Sequence, residues 1–315
     1  MKQGSKIILV TGASSGLGLA VATHLAEAGN IVYAGARSYR DETPNEGNLK
    51  KVYLDVTDQT GITALTEKII ETEGRIDVLI NCAAILVLGS VEDTTYEEFE
   101  KVLLTNTCGV VRTCKAVLPY MRNRNEGQII NFSSIMGLIS IPFQSAYSAS
   151  KFAIEGFTEA LRMETRNYGI KVSLVEPTDH KSGSKLYRPH AAAANLLSSP
   201  YRDLFLKVTS KIEFDEANGG EPEKLARLIG RIVQSKQPRL RYLTGKFVQK
   251  LSVLLKKLVP GRLFESIIYS YYKDGQKKGK DNKSIPKEDN RDERLQALSA
   301  LDNNKPENHE HSEQQ

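Results

Sequence analysis

Short apolar runs, separated by longer stretches with helical spacing, limit this chain to very few architectures. The runs fall at residues 7–10, 31–34, 51–54, 78–80, 129–132 and 171–175, with a last one at 239–243. They are rich in Ile, Val and Leu and lack a regular alternation with polar residues, which predicts strands covered on both faces. Residues 18–27, 59–73, 95–121 and 146–168 read as the covering helices, several opened by a polar cap such as Thr57, Asp58 or Thr94. A helix between consecutive strands returns the chain to the same end of the sheet, so the strands pair in parallel. The expected fold is α/β, a doubly wound parallel sheet with helices on both faces. With 315 residues, 40% of them apolar, the chain can fill such a core.

The rhythm breaks after Pro177. Residues 178–218 carry no clear strand and read as a lid built from one or two short helices, and Glu221-Pro222 opens another helix, Pro being well tolerated in a first turn. The expected division is a nucleotide-binding catalytic domain over residues 1–245, a basic amphipathic helical extension over 246–272, and a polar tail over 273–315. The tail is too poor in aromatic and β-branched residues to offset the entropy of ordering it, so it is expected to be disordered. Net charge is a mild +5, which does not point to nucleic acid. Between Lys246 and Lys278, however, eight basic residues face two acidic ones.

Three cysteines, Cys82, Cys108 and Cys114, show no pairing or ligand spacing, and the five histidines form no cluster, so neither a disulfide nor a metal is expected. The apolar run at residues 6–10 is too short for a secretory signal, and no run reaches the ~18 residues needed to cross a bilayer. The expected location is cytoplasmic, free or resting on a membrane surface.

Two motifs carry chemistry. Gly12, Gly16 and Gly18 directly follow the first strand and open a helix, with Ser14 and Ser15 as extra donors and Leu17 between the last two glycines. Glycines let the backbone turn tightly toward a pyrophosphate, and the helix N-terminus presents free N–H groups to it. Tyr147 and Lys151 stand four apart on a predicted helix and so share one face. An ammonium near the phenol lowers its pKa from about 10, which suits tyrosine to proton transfer near neutral pH. Ser134 lies thirteen residues before that tyrosine.

The glycine spacing and Tyr147-x-x-x-Lys151, together with Asp55-Val56, Asn81-Cys82-Ala83-Ala84, Asn106 and Ser134, resemble the short-chain dehydrogenase/reductase family over roughly residues 5–245. The resemblance implies a Rossmann-type fold and hydride transfer between a nicotinamide cofactor and an alcohol or carbonyl. It assigns Tyr147 as general acid/base and Ser134 as the group that orients the carbonyl. Lys151 would lower the tyrosine pKa and bond the nicotinamide ribose, and Asn106 would hold a water that relays protons to Lys151. Asp55 and Val56 would meet the adenine, Asn81 would anchor the strand beside the cofactor, and Pro177-Thr178 would stand near the nicotinamide. Cys82, Ala84 and Thr178 depart from the family's Asn, Gly and Gly.

Cofactor choice turns on the residue after the second strand. A carboxylate there would bind a ribose 2′-hydroxyl and repel a 2′-phosphate, but this chain has Ala36-Arg37. Arg37 favours NADP(H), with NAD(H) left open. Ile85 to Leu88, and the apolar residues between Ser134 and Tyr147, suggest a pocket for a lipophilic alcohol, ketone or aldehyde. The basic extension suits either a membrane surface or a cover over the cavity or a homo-oligomer contact. It adds a resemblance to the retinol and hydroxysteroid dehydrogenase branch of the family. The alternative function is an NADP(H)-binding regulatory or scaffold protein that is catalytically silent.

Overall fold

The computed structural model describes residues 4–40, 43–181 and 189–274. The expected disorder beyond residue 274, and part of the expected lid, lie outside the described residues. The chain runs β1 (Ile7–Thr11), α1 (Gly16–Glu27), β2 (Ile31–Ala36), β3 (Leu49–Tyr53), α2 (Gln59–Glu73) and β4 (Val78–Asn81). It continues through α3 (Tyr96–Leu103), a π-turn at Leu104–Cys108, α4 (Gly109–Arg124), β5 (Gly127–Phe132), a 3₁₀ turn at Ile135–Gly137 and α5 (Ser145–Glu164). The last elements are β6 (Ile170–Pro177), α6 (Arg202–Ala217), α7 (Pro222–Gln234), β7 (Arg241–Thr244), α8 (Phe247–Leu258) and α9 (Gly261–Lys273).

The seven strands form one sheet in the order β3-β2-β1-β4-β5-β6-β7, every pair parallel. Every residue of β1, β4 and β5 is buried, which is what the unalternating apolar runs predict for a sheet covered twice. One core packs Val21, Ala22 and Leu25 of α1 with Leu225, Ile229 and Val233 of α7 against one face. The other packs α2, α4 and α5 against Leu9, Leu79 and Ile129. Each such Leu or Ile contributes about 1.5–3 kcal/mol relative to exposure. The chain reverses its direction of growth between β1 and β4, whose ends stand in register as Thr11 beside Asn81. That switch opens the crevice in which ligands of such sheets bind.

Three boundaries differ from the sequence expectation. The third strand begins two residues early, at Leu49. It is an edge strand with β2 as its one neighbour, and Leu49 itself is buried against it while the next residues are half exposed, so periodicity there is weak. The helix expected over 95–121 is broken by the π-turn and runs on to Arg124 before Asn125 ends it in the left-handed region. The Ala191–194 run forms turns instead of helix, and one 16-residue helix, α6, follows it.

Above the carboxyl end of the sheet sits a third apolar body. It joins Val87 and Leu88, the segment from Ile135 to Phe143, Phe205 and Val208 of α6, Val253 of α8, and Phe264 and Tyr272 of α9. Among the described residues no helix is long and apolar enough to cross a membrane.

Candidate active site

The first glycine turn closes on itself. Gly12 and Gly16 have φ of +68° and +55°, a region costly for other residues. A Cβ on Gly18 would stand 2.2 Å from the Gly12 carbonyl oxygen, so backbone meets backbone there without room for a side chain. Ser15 is the N-cap of α1 but makes no side-chain cap bond, and the first turn holds no acidic residue. Uncapped N–H groups without a competing carboxylate suit a pyrophosphate, so the turn fits a dinucleotide. Ser14 is exposed, and Leu17 packs on the α1 core. Thr11 locks the turn to the next strand, its hydroxyl accepting from the amides of Cys82 and Ala83, each at 3.1 Å.

Arg37 is exposed just past β2. Its carbonyl accepts from Arg40, whose guanidinium lies 5.6 Å from the Tyr53 ring centre, so a second cation stands beside it. The sequence reading missed Arg40. Asp55 uses Oδ1 to accept from the Thr57 amide and hydroxyl, both at 2.8 Å, and Val56 is buried against Gly109. Asn81 faces inward: its amide donates to Asn131 at 2.9 Å and accepts from Thr113 at 2.7 Å. Buried and bonded on both sides, that side chain ties β4, β5 and α4 together.

Ser134 leaves β5 in extended conformation and caps the 3₁₀ turn, its oxygen accepting from the Met136 amide at 3.1 Å. Because it accepts there, its own O–H remains able to donate. Tyr147 and Lys151 sit one turn apart on α5, as the spacing predicts. Lys151 is buried, donates to the Phe132 carbonyl at 2.8 Å, and places Nζ 5.5 Å from the Tyr147 ring centre. Burial pushes its pKa down to about 8, against an upward pull from the Glu155 carboxylate. The Cys82 thiol, itself pushed up to about 12 by burial, is neutral at physiological pH.

Asn106 occupies the π-turn, the kind of irregularity found often at functional sites, and is fully buried. Its Oδ1 accepts from the Ile85 amide at 2.8 Å, and its Nδ2 donates to the Ile85 carbonyl at 2.8 Å and to Ser150 Oγ at 3.0 Å. Ser150 in turn donates to the Tyr147 carbonyl at 2.7 Å. The side chain therefore spans from the loop after β4 to the helix of the tyrosine, a link no spacing rule announces.

Thr178, the departure at the end of β6, is buried and turned away from open space. Its amide donates to the Thr244 carbonyl at 2.8 Å, and its hydroxyl accepts from the Lys246 amide at 2.9 Å. The hydroxyl fills the position a Cβ on Gly245 would take, 1.9 Å from it, while Gly245 itself sits at φ +117°. Pro177 precedes it as the last residue of β6. His180 is buried, with Nδ1 2.7 Å from the Thr178 carbonyl. Gly219 and Gly220 pack so closely on it that no side chain could replace them without a shift.

Tyr147 packs against the third apolar body, alongside Ile85, Leu86 and Leu138. Phe143 enters that body with φ +64°, strain of about 1–3 kcal/mol for a bulky residue. It is held edge-on to Phe205 with ring centres 5.4 Å apart. A separate cleft of about 540 Å³ opens at the ends of β6 and β7, lined by His180, Lys224, Arg239, Tyr242 and Lys250. Neither Ser134 nor Tyr147 lines it.

The sequence profile of the family described as short chain dehydrogenase matches residues 6–188. The chain is 42% identical over 267 residues to a 3-ketodihydrosphingosine reductase of Bacteroides thetaiotaomicron, covering 85% of this chain and 98% of that protein. It is 31% identical over 274 residues to human retinol dehydrogenase 8, covering 81% and 86%. A crystal structure of a short-chain dehydrogenase from Streptomyces avermitilis superimposes with a TM-score of 0.70 at 30% identity, covering 84% of this chain and 96% of that one.

Thr178→Gly leaves the Lys246 amide without its acceptor and reopens the space beside Gly245. It is expected to lower stability by about 1–3 kcal/mol, read as a shift of the urea midpoint at constant slope.

Proposed function

Given that the chain belongs to the short-chain dehydrogenase/reductase family, oxidoreductases that act on CH–OH groups and bind NAD(P) on a Rossmann-like sheet, we propose that it is an NADP(H)-dependent reductase of a lipophilic ketone or aldehyde. The observation that carries this is the buried Lys151 ammonium, 5.5 Å from the Tyr147 ring and bonded at the carboxyl end of β5, the end of the sheet at which the glycine turn also follows β1. Gly12, Gly16, Gly18 and the α1 N-terminus would hold the pyrophosphate, Ser14 and Ser15 adding donors. Arg37 would take the 2′-phosphate with Arg40 beside it. Asp55 and Val56 would flank the adenine, and Pro177 and Thr178 the nicotinamide end. When bound, the cofactor supplies the hydride.

Tyr147 gives its phenolic proton to the substrate oxygen, and takes it back in the oxidative direction. Ser134 donates to the same oxygen and stabilises its developing charge. Lys151 keeps the phenol acidic while charged and offers Nζ–H to the ribose. Asn106 holds the loop at Ile85 and the helix at Ser150 in fixed relation and would hold the water that relays protons to Lys151. The charged form of Lys151 prevails below a pKa of about 8, so proton transfer supported by it declines as pH rises through that value.

The apolar body around Tyr147 supports a lipophilic substrate. The similarity to a 3-ketodihydrosphingosine reductase makes the 3-ketone of a long-chain sphingoid base the first compound to test. The same similarity fits the exposed stripe of α8, where Phe247, Leu251, Leu254 and Leu258 face solvent and Lys250 and Lys257 flank them. From Lys246 to Lys273 six cations meet one acid, Glu265, which complements an anionic bilayer from which such a lipid would be drawn.

With 3-ketodihydrosphingosine, retinaldehyde and a steroid ketone as the panel, wild-type protein is expected to oxidise NADPH with at least one of them. Tyr147→Phe is expected to reduce that kcat by about 10²-fold or more. NADPH binding without turnover across the panel would instead favour the silent-binder alternative.

Arg37→Ala is expected to weaken NADPH binding about tenfold and NADH binding less than twofold, followed by nicotinamide fluorescence. Equal loss for both would remove Arg37 as the discriminator.

In flotation, full-length protein is expected to rise with phosphatidylglycerol vesicles and not with phosphatidylcholine vesicles, and Leu251→Glu/Leu258→Glu to stay in the lower fraction. A protein that ignores both vesicles and elutes as a dimer broken by those substitutions would make the stripe a contact between copies.

A further inference from the structure

Glu155 continues the face of α5 that bears Tyr147 and Lys151, one turn further on in a 147-151-155 series. It is buried, and its carboxylate meets the guanidinium of Arg241, which reaches in from β7. The same guanidinium bonds Glu176 of β6 at 2.6 Å and Glu159 of α5. One cation thus serves three carboxylates, two of them buried, and the cluster carries surplus negative charge. On its other side Glu155 closes on the turn opened by Ser134: a Cβ on Gly137 would stand 3.0 Å from Glu155 Oε1 and 2.4 Å from Ser133 Oγ. The carboxylate therefore lies between Arg241 and the turn that follows Ser134.

Three titratable groups face Lys151 among the described residues: Tyr147 on its own helix, the neutral thiol of Cys82 after β4, and Glu155. Of these, Glu155 is the carboxyl group, and Arg241 favours its ionised form. Those around Glu155 are Arg241, Glu159, Glu176 and Lys151, and Lys257 of α8 acts on Glu176. Burial raises the pKa of both Glu155 and Glu176, and Arg241 pulls each back toward the ionised form. A lysine buried as deeply as Lys151 loses its proton readily unless an anion opposes the desolvation.

We propose that Glu155, clamped by Arg241, is a positioning residue that keeps the Lys151 ammonium charged at working pH. The proposal rests on Tyr147 and Lys151 being the proton-transfer pair. Arg241 sets where the carboxylate sits, Glu155 sets the field at Lys151, and Lys151 sets the acidity of Tyr147.

The test is the alkaline limb of the kcat/KM profile for carbonyl reduction. Glu155→Gln is expected to move that limb down by about one pH unit, with NADPH affinity within twofold of wild type. Glu159→Gln removes another partner of Arg241, but one that is half exposed, and is expected to leave the limb in place. A limb unmoved in Glu155→Gln, or moved equally in Glu159→Gln, overturns the proposal. Should Glu155→Gln fail to fold, carboxyl ¹³C NMR of wild-type protein decides: Glu155 ionised from pH 6 to 9 supports it, and a carboxyl still protonated at pH 8 overturns it. Wild-type protein that binds NADPH but turns nothing over would sink the proton-transfer assignment instead, and the carboxyl titration would still judge Glu155.

Discussion

The burial of one ammonium governs the layout of this molecule's reactive edge. Lys151 is 3% exposed, and a charge so placed loses most of its hydration. What compensates is local and directional: the Phe132 carbonyl at the end of β5, the π-face of Tyr147, and the field of Glu155. All three depend on α5 standing at a fixed height above the sheet. A shift of one turn would remove Nζ from its acceptor and leave a buried charge unpaired, a cost of about 3–5 kcal/mol.

That height is fixed by polar bonds, not by the apolar core alone. Asn131 of β5 donates to Thr158 of α5 at 3.0 Å and accepts from Asn81 of β4, which accepts from Thr113 of α4. Asn106 does the same one layer higher, between Ile85 and Ser150. Apolar faces slide over one another at small cost, whereas these amides have geometry. Each bond is worth about 1 kcal/mol net, yet each buried partner left unpaired costs about 1–3 kcal/mol, so the network selects one register over its neighbours.

Legibility in the sequence follows the range of the interactions. The sheet, its helices and the Tyr147–Lys151 face were readable because strand burial and i,i+4 spacing are local and periodic. The glycine turn was readable because Gly12 and Gly16 sit at positive φ and Gly18 has no room for a Cβ, demands that few residues meet. The π-turn at Asn106 was not, since it inserts into a helix whose apolar pattern runs on past it. Nor was the partnership of Glu155 with Arg241, 86 residues apart, because a glutamate on a helix and an arginine on an edge strand each pass as surface charges. Nor were the partners of Thr178, Gly245 and the Lys246 amide, which no local pattern links to it.

Those distant partners have a common location. Thr178 meets Lys246, Asp179 receives the side chain of Gln249 from α8, Arg241 joins α5 to β6 and β7, and Lys256 donates to the Leu138 carbonyl at 2.6 Å. The segment from β7 through α8 thus touches the end of β6, the helix that bears Tyr147 and the turn after Ser134. Its inward residues, Val253 and Leu255, pack with the apolar body that holds Tyr147, while Phe247, Leu251 and Leu258 remain outside. A helix with apolar residues on both sides presents its outer side as a surface that an occupant would bury. That outer side is connected, through β7 and the ion pair of Arg241, to Glu155 of α5.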